Sequence, residues 1–231
     1  MCGRYIISDL TWAEFREMLN IVRPEDARAA PSFNIAPTQT MPIVLQDDET
    51  REVNARWGLI PPWFRDDPRT FRQTTFNARL ETAHEKPTFR AAWARGRCLV
   101  PTNGWYEWTG PKGAKQPWFI TLKTNAPVFF FAGLYAARSD GLVSYTILTR
   151  AADPTLEGLH HRMPTILRPD QLAPWLAGEG ETSDLIADLG TGFESQFTFH
   201  KTRPIRGDDE SLIEPYDPDE EADADAPDLF S

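Results

Sequence analysis

The sequence predicts a single α+β domain built on a curled, mainly antiparallel β-sheet of barrel-like form, with short helices at its flanks. Three observations carry this. Between Cys98 and Thr149, aromatic and β-branched runs alternate with turn residues at short intervals, the texture of consecutive antiparallel strands. Apolar residues at helical spacing occur only in brief stretches on either side of that region, which suits short packing helices. No repeat and no linker divides positions 1–206.

Taken in order, residues 8–20 read as a helix: Thr11 and Glu14 fit a capping box, and Leu10, Trp12, Phe15, Met18 and Leu19 share one face. Residues 24–42, rich in proline and alanine, read as ordered loop. Met41 to Leu45 and Glu52 to Trp57 read as strands joined by the polar turn 46–50. After the Pro61-Pro62 break a helix is expected from Thr88 to Ala94, ending near Gly96. Strands are expected at Cys98–Pro101, Trp105–Thr109, Trp118–Lys123, Val128–Ala137 and Ser144–Thr149, with turns at Gly110–Gly113 and Ser139–Gly141. Short helices follow at Asp153–Leu159, Pro169–Leu176 and Thr182–Leu189, then a last strand at Gln196–His200.

Composition bounds the function. A chain of 231 residues can bury a full core, and 41% hydrophobic residues with 12% aromatics exclude a wholly disordered protein. No stretch approaches the ~18 apolar residues of a membrane helix; the run from Pro127 to Ala137 is short and interrupted by Gly133. The amino terminus has neither a basic nor an apolar leader region, so a cytosolic monomer without membrane contact is expected. Cys2 and Cys98 are far apart and neither belongs to a metal-binding pair, so no disulfide, metal or cofactor is expected. Cys98 in its apolar run reads as an inert buried thiol.

The net charge of −10 argues against nucleic acid, but its distribution does not. From Gly207 to Ser231 there are eleven acids and no Lys or Arg, which leaves 24 basic and 23 acidic residues in positions 1–206. That body can carry a basic face. Residues 207–231 read as a separate acidic tail, disordered or loosely attached, serving solubility or competing with a polyanion for a basic cleft.

Cys2 is the residue most able to do chemistry. Cysteine is small enough for Met1 to be removed, which exposes an α-amine and a thiol on adjacent carbons. The amine titrates near ~8 and is partly neutral at pH 7, and the thiolate is a second nucleophile. Together they can add to an aldehyde, first as an imine and then as a five-membered thiazolidine, a reaction no internal cysteine can perform. Glu107 sits among aromatics in Gly104-Trp105-Tyr106-Glu107-Trp108; it is either a desolvated proton-transfer group or a strand residue facing solvent. His160 and His161 precede Arg162-Met163-Pro164, a place for a proton relay or for histidines capping a helix end. Asn77 can orient a backbone group or cap a helix, and Arg79 can meet phosphate. Trp57, Trp63 and Trp108 can stack on unpaired bases if exposed.

These residues fall in six ordered blocks: Met1–Tyr5, Phe33–Thr38, Arg56–Pro61, Asn77–Thr82, Gly104–Trp108 and His160–Pro164. In these the chain resembles the SOS-response-associated peptidase family of abasic-site-processing proteins, from Cys2 to about Arg206. The resemblance implies a single α+β domain in which Cys2, as the new amino terminus, links covalently to the ring-opened sugar of an abasic site in single-stranded DNA. It implies that Asn77 positions the cysteine backbone, Glu107 is general acid/base near the amine, and His160 assists proton transfer at the sugar. Arg4, Arg79 and Arg162 are expected to hold phosphates, Trp57 and Trp108 to contact bases or sugars, and the loop with Asn34 and Pro37 to border the cleft. The family name adds the alternative of a thiol peptidase, acting on other peptides or only on its own Met1–Cys2 bond. A binding module for single-stranded DNA without chemistry is the third reading.

Overall fold

The computed structural model describes residues 2–8, 31–124, 126 and 128–217. In chain order its strands are β1 (Tyr5–Ile7), β2 (Ser32–Ile35), β3 (Thr40–Gln46), β4 (Thr50–Trp57), β5 (Asn77–Arg79), β6 (Arg97–Thr102), β7 (Gly104–Thr109), β8 (Gln116–Leu122), β9 (Phe129–Ala137), β10 (Val143–Ala151), β11 (Arg162–Pro164), β12 (Ile166–Leu167) and β13 (Phe197–Lys201). Among the described residues the helices are α1 (Arg90–Arg95), α2 (Pro169–Leu176) and α3 (Thr182–Asp188). The α+β class and the curled sheet follow the expectation.

The curl has a geometric cause. Strands β10, β4, β3, β6 and β9 pair in that order, and β9 pairs back to β10. A ring of five strands cannot close with every neighbour antiparallel, so one seam must be parallel. That seam is β10–β4, where Tyr145 lies opposite Trp57. The short strand β5 also joins β10 in parallel, with Asn77 opposite Ile147. A second sheet, β13-β8-β7-β1-β2, is antiparallel throughout. The chain steps from ring to sheet between β6 and β7. At that step Gly104 admits no side chain, since a Cβ would fall 2.4 Å from the Phe119 ring and 2.7 Å from the Ile120 carbonyl oxygen.

Alternation along the strands of the second sheet divides its residues between two faces. Tyr5, Trp105 and Ile120 pack into the main core with Trp57, Phe131 and Tyr145, their rings in edge contacts of 5–6.5 Å between centroids. Ile6, Tyr106 and Phe119 point the other way and are covered by Leu212. Glu107 shares the inner face with Trp105, and Trp108 shares the outer one with Tyr106.

Three expectations need correction or comment. The helix expected at 8–20 and residues 24–30 of the loop expected at 24–42 lie largely or wholly outside the described residues, and the rest of that loop is not irregular throughout, since Ser32–Ile35 forms β2 and Thr40 begins β3. The helix expected at Asp153–Leu159 is a chain of single turns: Asp153 uses its side chain on Thr155, and the two i→i+4 bonds, Glu157 to Asp153 and His160 to Leu156, are not consecutive, with Gly158 between them. Part of the tail expected at 207–231 is also docked on the domain. Residues 207–217 pack on the outer face of the second sheet, with Leu212 4% exposed and Tyr216 N–H donating to the Lys201 carbonyl. Acidic composition hid one apolar anchor, Leu212-Ile213, in the middle of that stretch.

Candidate functional site

The site forms where the amino terminus, β5, β7 and the turn before β11 meet. Cys2 enters β1 fully buried, at 0% exposure, with its Sγ 3.6 Å from the Arg4 carbonyl. Asn77, at the start of β5, donates from Nδ2 to the Cys2 carbonyl oxygen at 2.7 Å. The helix-cap alternative for Asn77 therefore fails, because β5 is a strand held in parallel register by β10. The other end of the same amide, Oδ1, is buried and accepts no hydrogen bond among the described residues. A buried acceptor left bare costs about 1–3 kcal/mol, so this oxygen is a ready partner for a hydroxyl or amine entering the site.

Glu107 is 3% exposed on the inner face of β7; the solvent-facing alternative fails. Burial is the main reason its pKa rises to about 7, while the positive amino terminus and Lys115 draw it down. A carboxyl with that pKa exists in both forms at neutral pH and can give or take a proton. The Cys2 thiol is pushed well above its ordinary value, first by burial and then by the Glu107 carboxylate. The thiol is therefore protonated at rest and needs a base, and Glu107 is the carboxylate whose charge acts on it.

His160 has its pKa lowered, chiefly by burial and next by the charge of the amino terminus. The ring is neutral at pH 7. His160 Nδ1 lies 2.9 Å from the Arg162 backbone nitrogen and 3.0 Å from the Arg162 carbonyl oxygen, so it accepts from the N–H in one tautomer and donates to the carbonyl in the other. His161 stacks on it at 4.3 Å between centroids. A carboxyl with both forms available and a neutral imidazole thus both lie within the field of Lys115.

The cationic residues divide. Arg4 donates to Asn34 Oδ1 at 2.9 Å and to the Gly3 carbonyl at 2.8 Å, both neutral acceptors. Arg79 is exposed at the end of β5. Arg162 differs: both arms of its fork engage Glu81, at 2.6 and 2.8 Å, and one also reaches the Thr149 carbonyl. Its side chain is only 11% exposed. The fork of Arg162 is thus engaged by an internal ion pair with Glu81 and by the β10 backbone. Trp57 departs from its expected role. It is 0% exposed, stacked on Tyr145 and donating to the Phe76 carbonyl at 2.8 Å, so it cannot meet a ligand. Trp108 is half-buried and, with Arg4, Lys115, Pro117, Pro204 and Ile205, lines a cavity of about 360 Å³. Pro37 is half-buried in the turn after β2.

The sequence reading placed Thr38 in the loop bordering the cleft but missed its conformation, and it missed Lys115 altogether. Thr38, next to Pro37, has φ 79°, a left-handed conformation costly for a β-branched residue. It is held there by a bond from its N–H to the Trp57 carbonyl at 2.8 Å, and Gln39 Oε1 closes the turn on Ala36 N–H. Position i+2 of such a turn normally carries glycine, so nothing in Pro37-Thr38 announced it. Lys115 ends the hairpin between β7 and β8, and its charge is felt by both Glu107 and His160; the sequence marked that hairpin only as a turn. The described residues hold no group of three or more His, Cys, Asp or Glu suited to a metal.

Comparison with known proteins gives a consistent result. A family model described as SOS response associated peptidase (SRAP) matches residues 1–204. "Abasic site processing protein YoqW" of Bacillus subtilis (strain 168) is 35% identical over 198 residues, covering 82% of this chain and 86% of that protein. "Abasic site processing protein YedK" of Escherichia coli (strain K12) is 31% identical over 209 residues, covering 87% and 91%. A crystal structure of a protein from Bacteroides thetaiotaomicron shares the fold, with a TM-score of 0.75, 23% identity and coverage of 93% of this chain and all of that one. The chain belongs to the SOS response associated peptidase family.

Proposed function

We propose that this protein processes abasic sites in single-stranded DNA by linking Cys2 covalently to the exposed aldehyde. The reading is supported by the relatives' printed role and above all by one contact, the 2.7 Å bond from Asn77 to the Cys2 carbonyl. That bond fixes the residue whose amine and thiol would react. Once Met1 is removed, the neutral α-amine adds to the aldehyde carbon to give a carbinolamine. Glu107 in its acid form gives the departing hydroxyl a proton; water leaves and an iminium forms, its nitrogen keeping one hydrogen. The thiol then gives its proton to the Glu107 carboxylate as sulfur bonds to the iminium carbon, which closes the ring and restores the acid form. The balance is one thiazolidine and one water. His160, neutral at pH 7, is suited to taking the proton of the closed sugar's anomeric hydroxyl and passing it to the ring oxygen as the ring opens. Arg4 and Arg79 present uncancelled charge for the flanking phosphates, and Trp108 offers an apolar wall.

The test uses protein whose intact mass shows loss of Met1. Incubated with single-stranded DNA carrying one abasic site, it is expected to give a heat-stable shifted band on a denaturing gel and a mass equal to the sum of both partners less water. Absence of both from such protein overturns the reading. Salt dependence checks the cationic rim: Arg79→Ala is expected to lower the slope of log K against log salt by about one. Arg162→Ala should leave that slope unchanged, because Glu81 already cancels its charge, and should lower the thermal midpoint instead. Equal slopes for Arg79→Ala and wild type would remove Arg79 from the phosphate contacts.

A further inference from the structure

Residues 207–213 lie beyond the last residue of the family match, yet they are hydrogen-bonded into the candidate site. Asp208 accepts from the Phe33 N–H at 2.5 Å and from Ser32 Oγ at 2.8 Å, gripping the outer edge of β2. Gly207, at φ 77°, turns the chain so that its carbonyl also faces that strand and accepts from Asn34 Nδ2 at 2.7 Å. The opposite end of the Asn34 amide, Oδ1, accepts from Arg4 Nε. Leu212 then seals the strap by burial against Ile6, Tyr106 and Phe119.

The amide of Asn34 has two unlike ends, and one orientation alone satisfies both neighbours. Turned over, it would set an N–H₂ against the Arg4 N–H and an oxygen against the Gly207 carbonyl. The Gly207 carbonyl therefore selects the orientation that offers Arg4 an acceptor. Arg4 is fixed in place by neutral oxygens, and among the described residues it has no carboxylate partner, so its charge is oriented without being cancelled. Arg162, held by Glu81, is the contrasting case.

We propose that residues 207–213 are a brace that positions Arg4 for phosphate through Asn34, with Asp208 as its anchor. Asp208 is a positioning residue; it acts on DNA through Arg4. The inference rests on the DNA-binding reading of the site above. It also fixes a sign: removing an acid near a polyanion site should by charge alone tighten binding, whereas loss of the brace loosens it.

The experiment is a double-mutant cycle in the full chain, reading affinity for single-stranded DNA with a tetrahydrofuran abasic analogue, which has no aldehyde. Asp208→Ala is expected to weaken binding about fivefold, the scale of one net hydrogen bond, and to have no effect in an Arg4→Ala background. Asp208→Asn, which can still accept from Phe33 and donate to Ser32 Oγ, should restore wild-type affinity. Ser32→Ala, which removes one of the two anchoring bonds, should give a smaller loss, again absent without Arg4, and this arm decides the matter if Asp208→Ala does not fold. Tighter binding, or the same loss in both backgrounds, overturns the brace while leaving the reading of the site intact. No affinity of the wild-type protein for the analogue overturns both.

Discussion

Replacement of Cys2 by alanine is expected to abolish heat-stable attachment to abasic DNA while changing affinity for the aldehyde-free analogue by less than about twofold, since affinity is carried by phosphate contacts. The fold should survive. Cys2 packs in the main core at 0% exposure, but removing one sulfur leaves a small void, with a cost of about 1 kcal/mol. Borohydride sharpens the result. Cys2→Ala and Cys2→Ser both keep the α-amine, and neither closes a thiazolidine, so each should form an imine that is lost on heating and trapped by borohydride. If amine and thiol both matter, wild type gives a heat-stable band and both variants give a band only after trapping. A heat-stable band from Cys2→Ala would move the nucleophile elsewhere and sink the mechanism. Loss of affinity with loss of the band would point instead to a role for Cys2 in shaping the site.

How much of this was legible in the sequence depends on the range of the interaction. Strands β3, β4 and β6–β10 were readable because turn chemistry and β-branched runs are local signals, and their observed bounds differ by no more than two residues at either end. The parallel β10–β4 seam was not, since closure of a five-strand ring is a property of the whole sheet. Among the site residues, the sequence could name Asn77 but not its partner. The bond to the Cys2 carbonyl spans 75 positions and exists only because β5 joins β10. Trp57 shows the converse. An indole next to Arg56 and Gly58 looks exposed, and only the packing of Tyr5, Phe76 and Tyr145 around it makes it core. Arg162 looked like a phosphate ligand for the same reason: Glu81 lies 81 positions away. The strap was hidden by composition. Eleven acids dominate the average over residues 207–231, although one buried Leu212 suffices to dock the segment.

Glu107→Gln is expected to move stability and rate in opposite directions. Burial raises the carboxyl to about 7 from the ordinary 4.5. A group whose folded pKa lies above its unfolded value favours the fold while it is protonated, and that advantage is lost as pH rises through the folded pKa. Wild-type stability should therefore fall between about pH 4.5 and 7, by at most ~3 kcal/mol for a shift of this size. Glutamine has no charge to desolvate, so the variant should be the more stable protein at pH 8, with a thermal midpoint higher by several degrees, and should show no such gain at pH 4. The rate tells the other half. The Cys2 thiol is held protonated by burial and by the Glu107 carboxylate, so ring closure waits on a base, and single-turnover attachment in the wild type should climb with a midpoint near 7. In Glu107→Gln that limb should vanish, leaving a slower reaction that follows the α-amine at ~8, with affinity for the analogue retained. The expected slowing is about 10²–10⁴-fold, the usual worth of a positioned acid/base. A variant that keeps the midpoint near 7 would show that another group moves the proton. A variant that gains no stability at pH 8 would show that the buried carboxylate is already compensated in the fold, which would remove the physical basis for its tuned pKa.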